Sequence, residues 1–267
     1  MNKEIKSFVR QIVFGLLILL LWYLLWYVLS VRSSIANDIL VAPHDVARSL
    51  WKFIILNENN FRLQVLQTII RLAVGFGISV LVGLLLAGVM LMCKVFRNEI
   101  RALLSGLQSI PNMCWVPFAI VICGLDSNAV YFVMILGCAP SVALCVESSF
   151  RNISPEYKRV GKTLGCNKIG MINRIYIPAA LPGMIIGLRQ SWAFAWRALM
   201  AGEMNCLFSI NASGLGYLMF NLRYSGAMDK VMCLMLVILL MGALFDKLIF
   251  GTAEDKILRA HGIKRAS

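Results

Sequence analysis

Residues 154–182 have the sequence SPEYKRVGKTLGCNKIGMINRIYIPAALP, and this stretch decides the fold class. It is polar and basic, it lies between two apolar spans, and Gly165 stands near its middle. The pattern predicts a short amphipathic helix over 156–164 that Gly165 ends, because glycine readily adopts the left-handed conformation that closes a helix. A second short helix is predicted over 167–176, and Pro178 suits the first turn of the helix that follows. A polar helix pair inside a membrane protein is expected to contact a soluble partner.

Composition identifies lipid as the solvent of this chain. Of its 267 residues 60% are hydrophobic, against roughly 45–50% in soluble domains. The net charge of +13 does not indicate nucleic-acid binding, because the basic residues lie between apolar spans, as the positive-inside rule requires. The eight cysteines form no CxxC pair and fall mostly within apolar spans, so we predict neither a metal site nor a disulfide framework.

Six hydrophobic segments are long enough to cross a bilayer, which takes about 20 helical residues. They cover approximately residues 11–29, 66–92, 102–123, 129–146, 179–201 and 231–250. The third is interrupted by Pro111, Asn112 and Pro117, and such breaks are tolerated only where protein or a water-filled cavity surrounds the backbone. We therefore predict an all-α integral membrane protein with six transmembrane helices in one domain, 1–267.

The distribution of Lys and Arg predicts the orientation. With a cytoplasmic N-terminus, 17 of the 26 basic residues fall in inside segments. The outside segments hold only six, which are Arg32, Arg48, Lys52, Arg62, Arg223 and Lys230. Both termini and the loop 151–177 are therefore predicted to be cytoplasmic.

Two outside segments are predicted to be more than connectors. In residues 43–56, apolar side chains at positions 46, 50, 53 and 54 have helical spacing, which indicates a helix lying at the outer interface. The stretch 211–226 holds three glycines, which favours a broken, partly re-entrant structure. The nucleotide-binding signature GxxxxGK[ST] is absent, so ATP hydrolysis is expected on another chain.

Several motifs together resemble those of bacterial type I ABC importer permeases, in the sulfonate, taurine and nitrate branch. The loop resembles the family's "EAA" loop, in which a glycine lies midway and a hydrophobic-proline pair closes the motif. The other matching segments are APHDVARSL (42–50), RLAVGFGISVLVGLLLAG (71–88), SIPNMCWVPFAIVICGL (109–125), GLRQSWAFAWRALMAGEM (187–204) and SGLGYL (213–218). In the second of these, glycines at 75, 77, 83 and 88 are expected to allow close helix contact. The resemblance runs from Val41 onward and implies a MetI-like bundle.

The resemblance also implies partners. The chain would work in the bacterial plasma membrane as a homodimer, with two ATP-binding subunits and an extracytoplasmic solute-binding protein. It would hold no cofactor, because ATP would be bound by the partner subunits. The cytoplasmic loop would dock on an ATP-binding subunit through Glu156, Arg159, Val160, Gly161, Leu164, Gly165 and Lys168.

The chain departs from the family pattern in two places. Arg159-Val160-Gly161 stands where Glu-Ala-Ala is usual, so any ion pair made by the family's acid is absent or inverted here. Arg197 stands where an apolar residue is common. The alternative interpretation of the loop is a solvated basic segment held near anionic lipid head groups.

Candidate residues of the translocation pathway lie in the third and fifth spans. They are Asn112, Trp115, Arg189, Trp192, Trp196, Arg197 and Glu203. An arginine within a bilayer is costly and tends to face the bundle interior or a cavity. For Arg189 we favour a structural role, bonded to carbonyls of the broken helix or paired with Glu147 or Glu203. For Arg197 pathway and structure are equally supported.

The remaining candidates have simpler alternatives. Trp192 and Trp196 form either a pathway wall or, as we favour, ordinary helix packing. Asn112 and Trp115 lie in the broken helix, which needs a polar or protein-lined surround. Glu203 either faces the binding protein or is solvated.

The predicted function is ATP-driven import of a small solute by alternating access. A sulfonate, taurine, nitrate or bicarbonate fits the intramembrane arginines best. A thiamine-pyrimidine precursor or other small organic solute is the alternative within the family. A secondary transporter would usually show inverted repeats, which we do not find. A membrane enzyme would need clustered catalytic groups, and the chain has two isolated His, at positions 44 and 261.

Overall fold

The structure, a computed structural model, describes residues 10, 13, 17, 20–28, 41–93, 95–163, 165–207 and 212–260. Residues 20–28 are helical. The later α-helices are α1 Pro43–Ile55, α2 Phe61–Met92, α3 Arg97–Ser109, α4 Val116–Cys123, α5 Ser127–Arg151, α6 Pro155–Thr163, α7 Lys168–Met171, α8 Ile177–Cys206, α9 Leu215–Tyr224, α10 Met228–Phe245 and α11 Thr252–Ala260. The predicted all-α class is confirmed over these residues.

Four helices in the described ranges are long and apolar enough to cross a membrane, or five if α3 and α4 count as one bent span. They correspond to the second, fourth, fifth and sixth predicted spans. The predicted first span, 11–29, lies largely outside the described residues, so the number six stays a prediction. The same holds for the prediction of one permease domain over 1–267.

The predicted break in the third span is present. Helices α3 and α4 meet at an angle of 98°, and a short 3₁₀ turn, Asn112–Trp115, lies between them. Pro111 has an extended ψ of 137°, and Pro117 occupies the first turn of α4. Both prolines act as expected, because proline cannot continue a helix but is well suited to begin one.

Two π-helical turns extend the last two spans beyond their predicted limits. The turn Ile172–Tyr176 runs directly into α8, so Pro178 lies within a continuous helix and does not begin one. Its ring cannot donate the usual i→i−4 hydrogen bond, and the wider turn before it accommodates that defect. The turn Asp246–Gly251 likewise joins α10 to α11. Both helices therefore continue past the predicted span limits at 179 and 250, and those limits stay predictions.

Helices α2 and α8 pack against α5, and glycines allow the close approach. A Cβ on Gly83 would lie 2.5 Å from Val142 Cβ and 2.9 Å from the Ala139 carbonyl oxygen. One on Gly187 would lie 2.6 Å from Cys145 Cβ. Of the four glycines predicted to serve α2 contacts, those at 75 and 83 do so, whereas those at 77 and 88 face open space.

The contacts between residues divide the chain into two compact units. The larger comprises Gln64–Tyr217 and Leu240–Ser267, and its core is an apolar cluster centred on α5, including Val130, Met134 and Leu199. The smaller comprises Met1–Leu63 and Leu218–Leu239.

The smaller unit contains the predicted outer-interface helix. Helix α1 buries Val46 and Phe53 as predicted, but Ile54 is exposed and Ser49 is buried in its place. Ser49 Oγ donates to Asp229 Oδ2 at 2.8 Å, so a polar contact fixes that face. The stretch 211–226, predicted to be broken, forms the regular helix α9 between two glycines of positive φ, Gly214 and Gly226.

Candidate functional site

The predicted cytoplasmic loop contains two short helices separated by Gly165. Gly165 has φ +65°, and the amide of Cys166 donates to the Gly161 carbonyl at 3.1 Å. This is the six-to-one bond of a glycine-terminated helix. On the other side of the break, Asn167 Oδ1 accepts from the Gly170 amide at 2.7 Å and caps α7. The helix-glycine-helix prediction is confirmed.

The loop residues differ in what they present to a partner. Glu156, Arg159 and Val160 are exposed on α6, and 55% of Val160 is accessible. Gly161 is buried, because Met171 and Ile175 occupy the space where its side chain would begin. Gly161 therefore packs the two short helices together and is withdrawn as a docking residue. Leu164 and the Lys168 side chain lie outside the described residues.

Arg189 forms a bidentate ion pair at the start of the π-helical turn after α10. Its Nε donates to Asp246 Oδ1 at 2.8 Å and its Nη2 to Asp246 Oδ2 at 2.5 Å, while Nη1 reaches Glu254 Oε2 at 2.8 Å. The structural role is supported, but the predicted partners, Glu147 and Glu203, were wrong. This fork-shaped pairing joins α8 to the end of the last span.

Glu203 is enclosed within the protein. It is 0% exposed, so it neither faces a binding protein nor is solvated, and we withdraw it from the pathway. Its carboxylate accepts from Thr68 Oγ1 at 2.9 Å, from Arg71 Nη1 at 3.0 Å and from the Gly216 amide at 3.0 Å. A buried carboxylate needs such partners because desolvation without them is very costly.

The same cluster holds the segment before α9. The Leu215 amide donates to Thr68 Oγ1 at 2.8 Å, the Gly214 amide donates to Gln64 Oε1, and Arg71 Nη1 also contacts the Ser213 carbonyl. Gly214 has φ +144°, and a side chain there would meet the Glu203 carboxylate. Helices α2 and α8 thus fix the SGLG backbone through side chains. We call Thr68, Arg71 and Glu203 the buried clamp.

Glu147 belongs to a separate buried pair. It is fully enclosed in α5, and its carboxylate contacts Arg101 of α3, with Arg97 Nε at 4.0 Å. It therefore anchors the first half of the bent span to the core.

The two tryptophans of α8 are packing residues, as we favoured. Trp192 is 6% exposed and meets Phe76 edge-on, with ring centroids 5.2 Å apart, and Phe250 at 5.7 Å. Trp196 is partly buried and packs beside Gly242, whose Cβ would lie 3.1 Å from Trp196 Nε1. Edge-to-face aromatic contacts of this kind stabilise helix packing.

Asn112 and Trp115 lie at the bend between α3 and α4. Asn112 is set against α5, where a Cβ on Gly137 would lie 2.7 Å from its Oδ1. The Trp115 Nε1 atom is buried and has no hydrogen-bond acceptor among the described residues. Such a donor is expected to find water or another polar group.

Arg197 differs from Arg71 and Arg189, the other arginines in the interior of the described spans, which are both paired with carboxylates. It is exposed on α8, its Nε donates to the Ala193 carbonyl at 3.1 Å, and its guanidinium lies 4.7 Å from the Phe194 ring centroid. No carboxylate pairs with it among the described residues. It lies nine residues before the end of α8, about 14 Å along the axis at about 1.5 Å per residue.

Sequence reasoning missed the buried clamp and the two carboxylates that hold Arg189. A signal was available: a charged residue inside an apolar span must be paired or reach water. That rule selects Arg71, Glu147 and Asp246 but does not pair them, because their charged partners are as many as 132 positions away in the chain.

Comparisons with known proteins point to one family of membrane transport proteins. Residues 79–252 match the family model described as "Binding-protein-dependent transport system inner membrane component". The nitrate import permease protein NrtB of Synechococcus elongatus is 23% identical over 82% of this chain and 81% of its own. The putative aliphatic sulfonates transport permease protein SsuC of Bacillus subtilis is 24% identical over 83% of this chain and 78% of its own.

A solved structure supports the fold. It is an inward-facing conformation of the MetNI methionine ABC transporter, matched with a TM-score of 0.58 and 19% identity over 74% of this chain and 94% of the other. The likeness is one of fold, an all-helical MetI-like permease bundle. The family match covers more than half of the chain and agrees with its membrane helices. The chain therefore belongs to the binding-protein-dependent transport system inner membrane components: it is a multi-pass inner-membrane permease of an ABC importer and is not itself catalytic.

Proposed function

We propose that this permease imports a small anion, such as a sulfonate, taurine, nitrate or bicarbonate, along a pathway between two copies of the chain. The relatives named for nitrate and aliphatic sulfonates support this solute class. At 23% and 24% identity they indicate a class and do not specify one solute.

The observation that carries the proposal is the exposed, unpaired guanidinium of Arg197. An arginine in the middle of a membrane helix costs at least ~2.5 kcal/mol if it faces lipid. The contacts with Ala193 and Phe194 leave its charge without a counter-ion. This face of α8 is therefore expected to line water, and a second copy of the chain would shield it from lipid.

Two-fold symmetry would bring two such arginines to one pathway. A passing anion would be attracted at mid-membrane, yet water would keep the interaction weak enough for release. The bend at Asn112 and Trp115 supports a polar lining, since the Trp115 indole N–H still lacks an acceptor. Trp192 and Glu203 are buried inside the protein and have no part in this proposed pathway.

Coupling to ATP hydrolysis would take place on the exposed face of α6. Glu156, Arg159 and Val160 are available to the ATP-binding subunits that an importer of this family requires. The Gly165 turn would set the angle between this helix and α7. We propose that this face and both termini are cytoplasmic, in accordance with the distribution of basic residues.

Transport by the reconstituted importer tests the pathway. Arg197→Ala should lower solute uptake at least tenfold, about 1.4 kcal/mol of added barrier, while solute affinity of the binding protein stays unchanged. Arg197→Lys should keep part of the rate, because it retains the charge and loses the planar fork. The control is Arg62→Ala, which removes an exposed arginine in the first turn of α2 and should transport normally.

Two results would contradict parts of this proposal separately. Wild-type uptake by an assembled Arg197→Ala importer would remove Arg197 from the pathway. A cognate binding protein that takes a thiamine-pyrimidine precursor and no anion would refute the solute class while leaving the permease assignment intact.

A further inference from the structure

An open cavity of about 750 Å³ lies in the larger unit, where the end of α2, the end of α5 and the turn leading into α8 meet. Its walls combine two kinds of side chain. Leu91, Phe150 and Ile172 are apolar, whereas Arg97, Arg151 and Tyr176 carry charge or a hydroxyl. This volume lies within the range of roughly 300–1,000 Å³ that is typical of sites for small organic ligands.

The cavity has an excess of positive charge. Arg97 donates through Nε to the Met90 carbonyl at 2.9 Å and through Nη2 to the Leu91 carbonyl at 3.3 Å, which leaves Nη1 without a partner in the described chain. Arg151 is exposed and forms no ion pair there. The nearest carboxylate, Glu147, is fully buried, is paired with Arg101 and lies 4.0 Å from Arg97 Nε, so its single charge does not balance the arginines around it. Both guanidiniums can therefore bind an anion.

A second feature indicates where that anion comes from. The end of α2 and the connector to α3, directly beside Arg97, expose Met92 by 84%, Val95 by 80% and Phe96 by 64%. Exposing three large apolar side chains within five residues to water is unfavourable. At the end of a membrane helix they suit the boundary between acyl chains and head groups, where apolar and basic residues commonly occur together.

We propose that this cavity binds an anionic phospholipid. The phosphate lies between Arg97 Nη1 and the Arg151 guanidinium, the Tyr176 hydroxyl donates to a phosphate oxygen, and an acyl chain follows Leu91, Phe150 and Ile172. Basic pockets between membrane helices bind anionic lipid head groups for this reason. A soluble phosphate would use the arginines alone and would leave the apolar wall uncovered.

Titration of the purified, fully assembled importer in neutral detergent tests the site. Dioleoyl phosphatidylglycerol is the probe, dioleoyl phosphatidylcholine has the same chains without net charge, and glycerol 3-phosphate has the charge without chains. Bound lipid is counted by native mass spectrometry. Arg151→Ala should weaken phosphatidylglycerol binding about fivefold, and Arg151→Glu about 30-fold. Ile172→Glu, a change at an exposed apolar wall position, should weaken it without altering the arginines.

The matched control is Arg174→Glu, which reverses the charge of an exposed arginine in the turn that also contains Ile172 and Tyr176. Arg174 itself does not line this cavity. It should bind phosphatidylglycerol like the wild type. Equal losses in Arg174→Glu and Arg151→Glu would show diffuse surface attraction and refute the site. Equal binding of both lipids would refute charge recognition, and glycerol 3-phosphate competing as well as the lipid would refute the acyl-chain contact.

Discussion

Removal of the Glu203 charge should destabilise this permease more than almost any other single substitution of a polar side chain. Glu203→Gln keeps the size of the side chain and neutralises it. Arg71 would then remain as an unpaired charge in a site where both side chains are at most 8% exposed. The new amide nitrogen would also carry two N–H donors in place of an acceptor. The groups around it are themselves donors to the carboxylate, namely the Thr68 hydroxyl, Arg71 and the Gly216 amide.

The magnitude follows from the burial of the pair. Breaking a buried ion pair by removing one partner costs about 3–5 kcal/mol, because the remaining charge has no compensation. For a chain of this length, 1 kcal/mol shifts the melting temperature by roughly 2–4 °C. Glu203→Gln is therefore expected to melt roughly 6–20 °C below the wild type.

A double-mutant cycle separates the ion pair from general packing. Arg71→Met removes the other charge at similar length, and the double variant should recover most of the loss, because replacing both partners by neutral groups leaves no stranded charge. Tryptophan fluorescence of each variant during heating in one detergent measures the melting temperature. Glu99→Gln, at an exposed position of α3, is the control and should not shift it. If the melting temperature of the double variant falls by the sum of the two single losses, the role of the buried clamp is refuted. A Glu203→Gln variant with the melting temperature of the wild type would refute it as well.

Three further predictions address the loop and the helix packing. Gly165→Pro should abolish solute-stimulated ATP hydrolysis by the assembled importer while leaving the protein in the membrane, because proline cannot adopt φ +65°; normal stimulation would exclude the docking role. Arg159→Glu should weaken copurification of the ATP-binding subunit, and unchanged copurification and turnover would make Arg159 solvated surface. Gly187→Ala should lower the melting temperature by several degrees, an overpacking cost of about 1–3 kcal/mol. Gly77→Ala, which faces open space inside α2, should not lower it, because alanine is favoured over glycine in a helix by about 0.5–1 kcal/mol, and equal losses in the two variants would contradict the close approach of α8 to α5.

Local features of this fold were predictable because local physical chemistry determines them. Proline disfavours the interior of a helix, most strongly where the residues around it can leave the helix, and glycine ends a helix where a positive φ is needed. The bend near Pro111 and the loop turn at Gly165 therefore lay where the sequence predicted them. The extension of α8 through the π-helical turn was not predictable, since a proline inside a helix and one at its start look alike in the sequence.

The partners of the buried charges were not predictable from spacing. We expected Arg189 to reach Glu147 or Glu203, but it binds Asp246 and Glu254. All four acids are compatible with a helical span, and helix packing alone decides which of them comes within 3 Å. The prediction that Glu203 faces outward failed for the same reason.

The sequence by itself determined that this chain is a helical membrane protein with a polar loop of two short helices, because hydropathy, proline and glycine act over a few neighbouring residues. It also carried the motifs that the family match covers. Only the tertiary structure decided which charges are neutralised inside the protein and that Arg197, well within α8, has no carboxylate partner among the described residues. The free energy of a buried charge depends on groups that are distant in the chain and close in space, and packing alone brings these groups together.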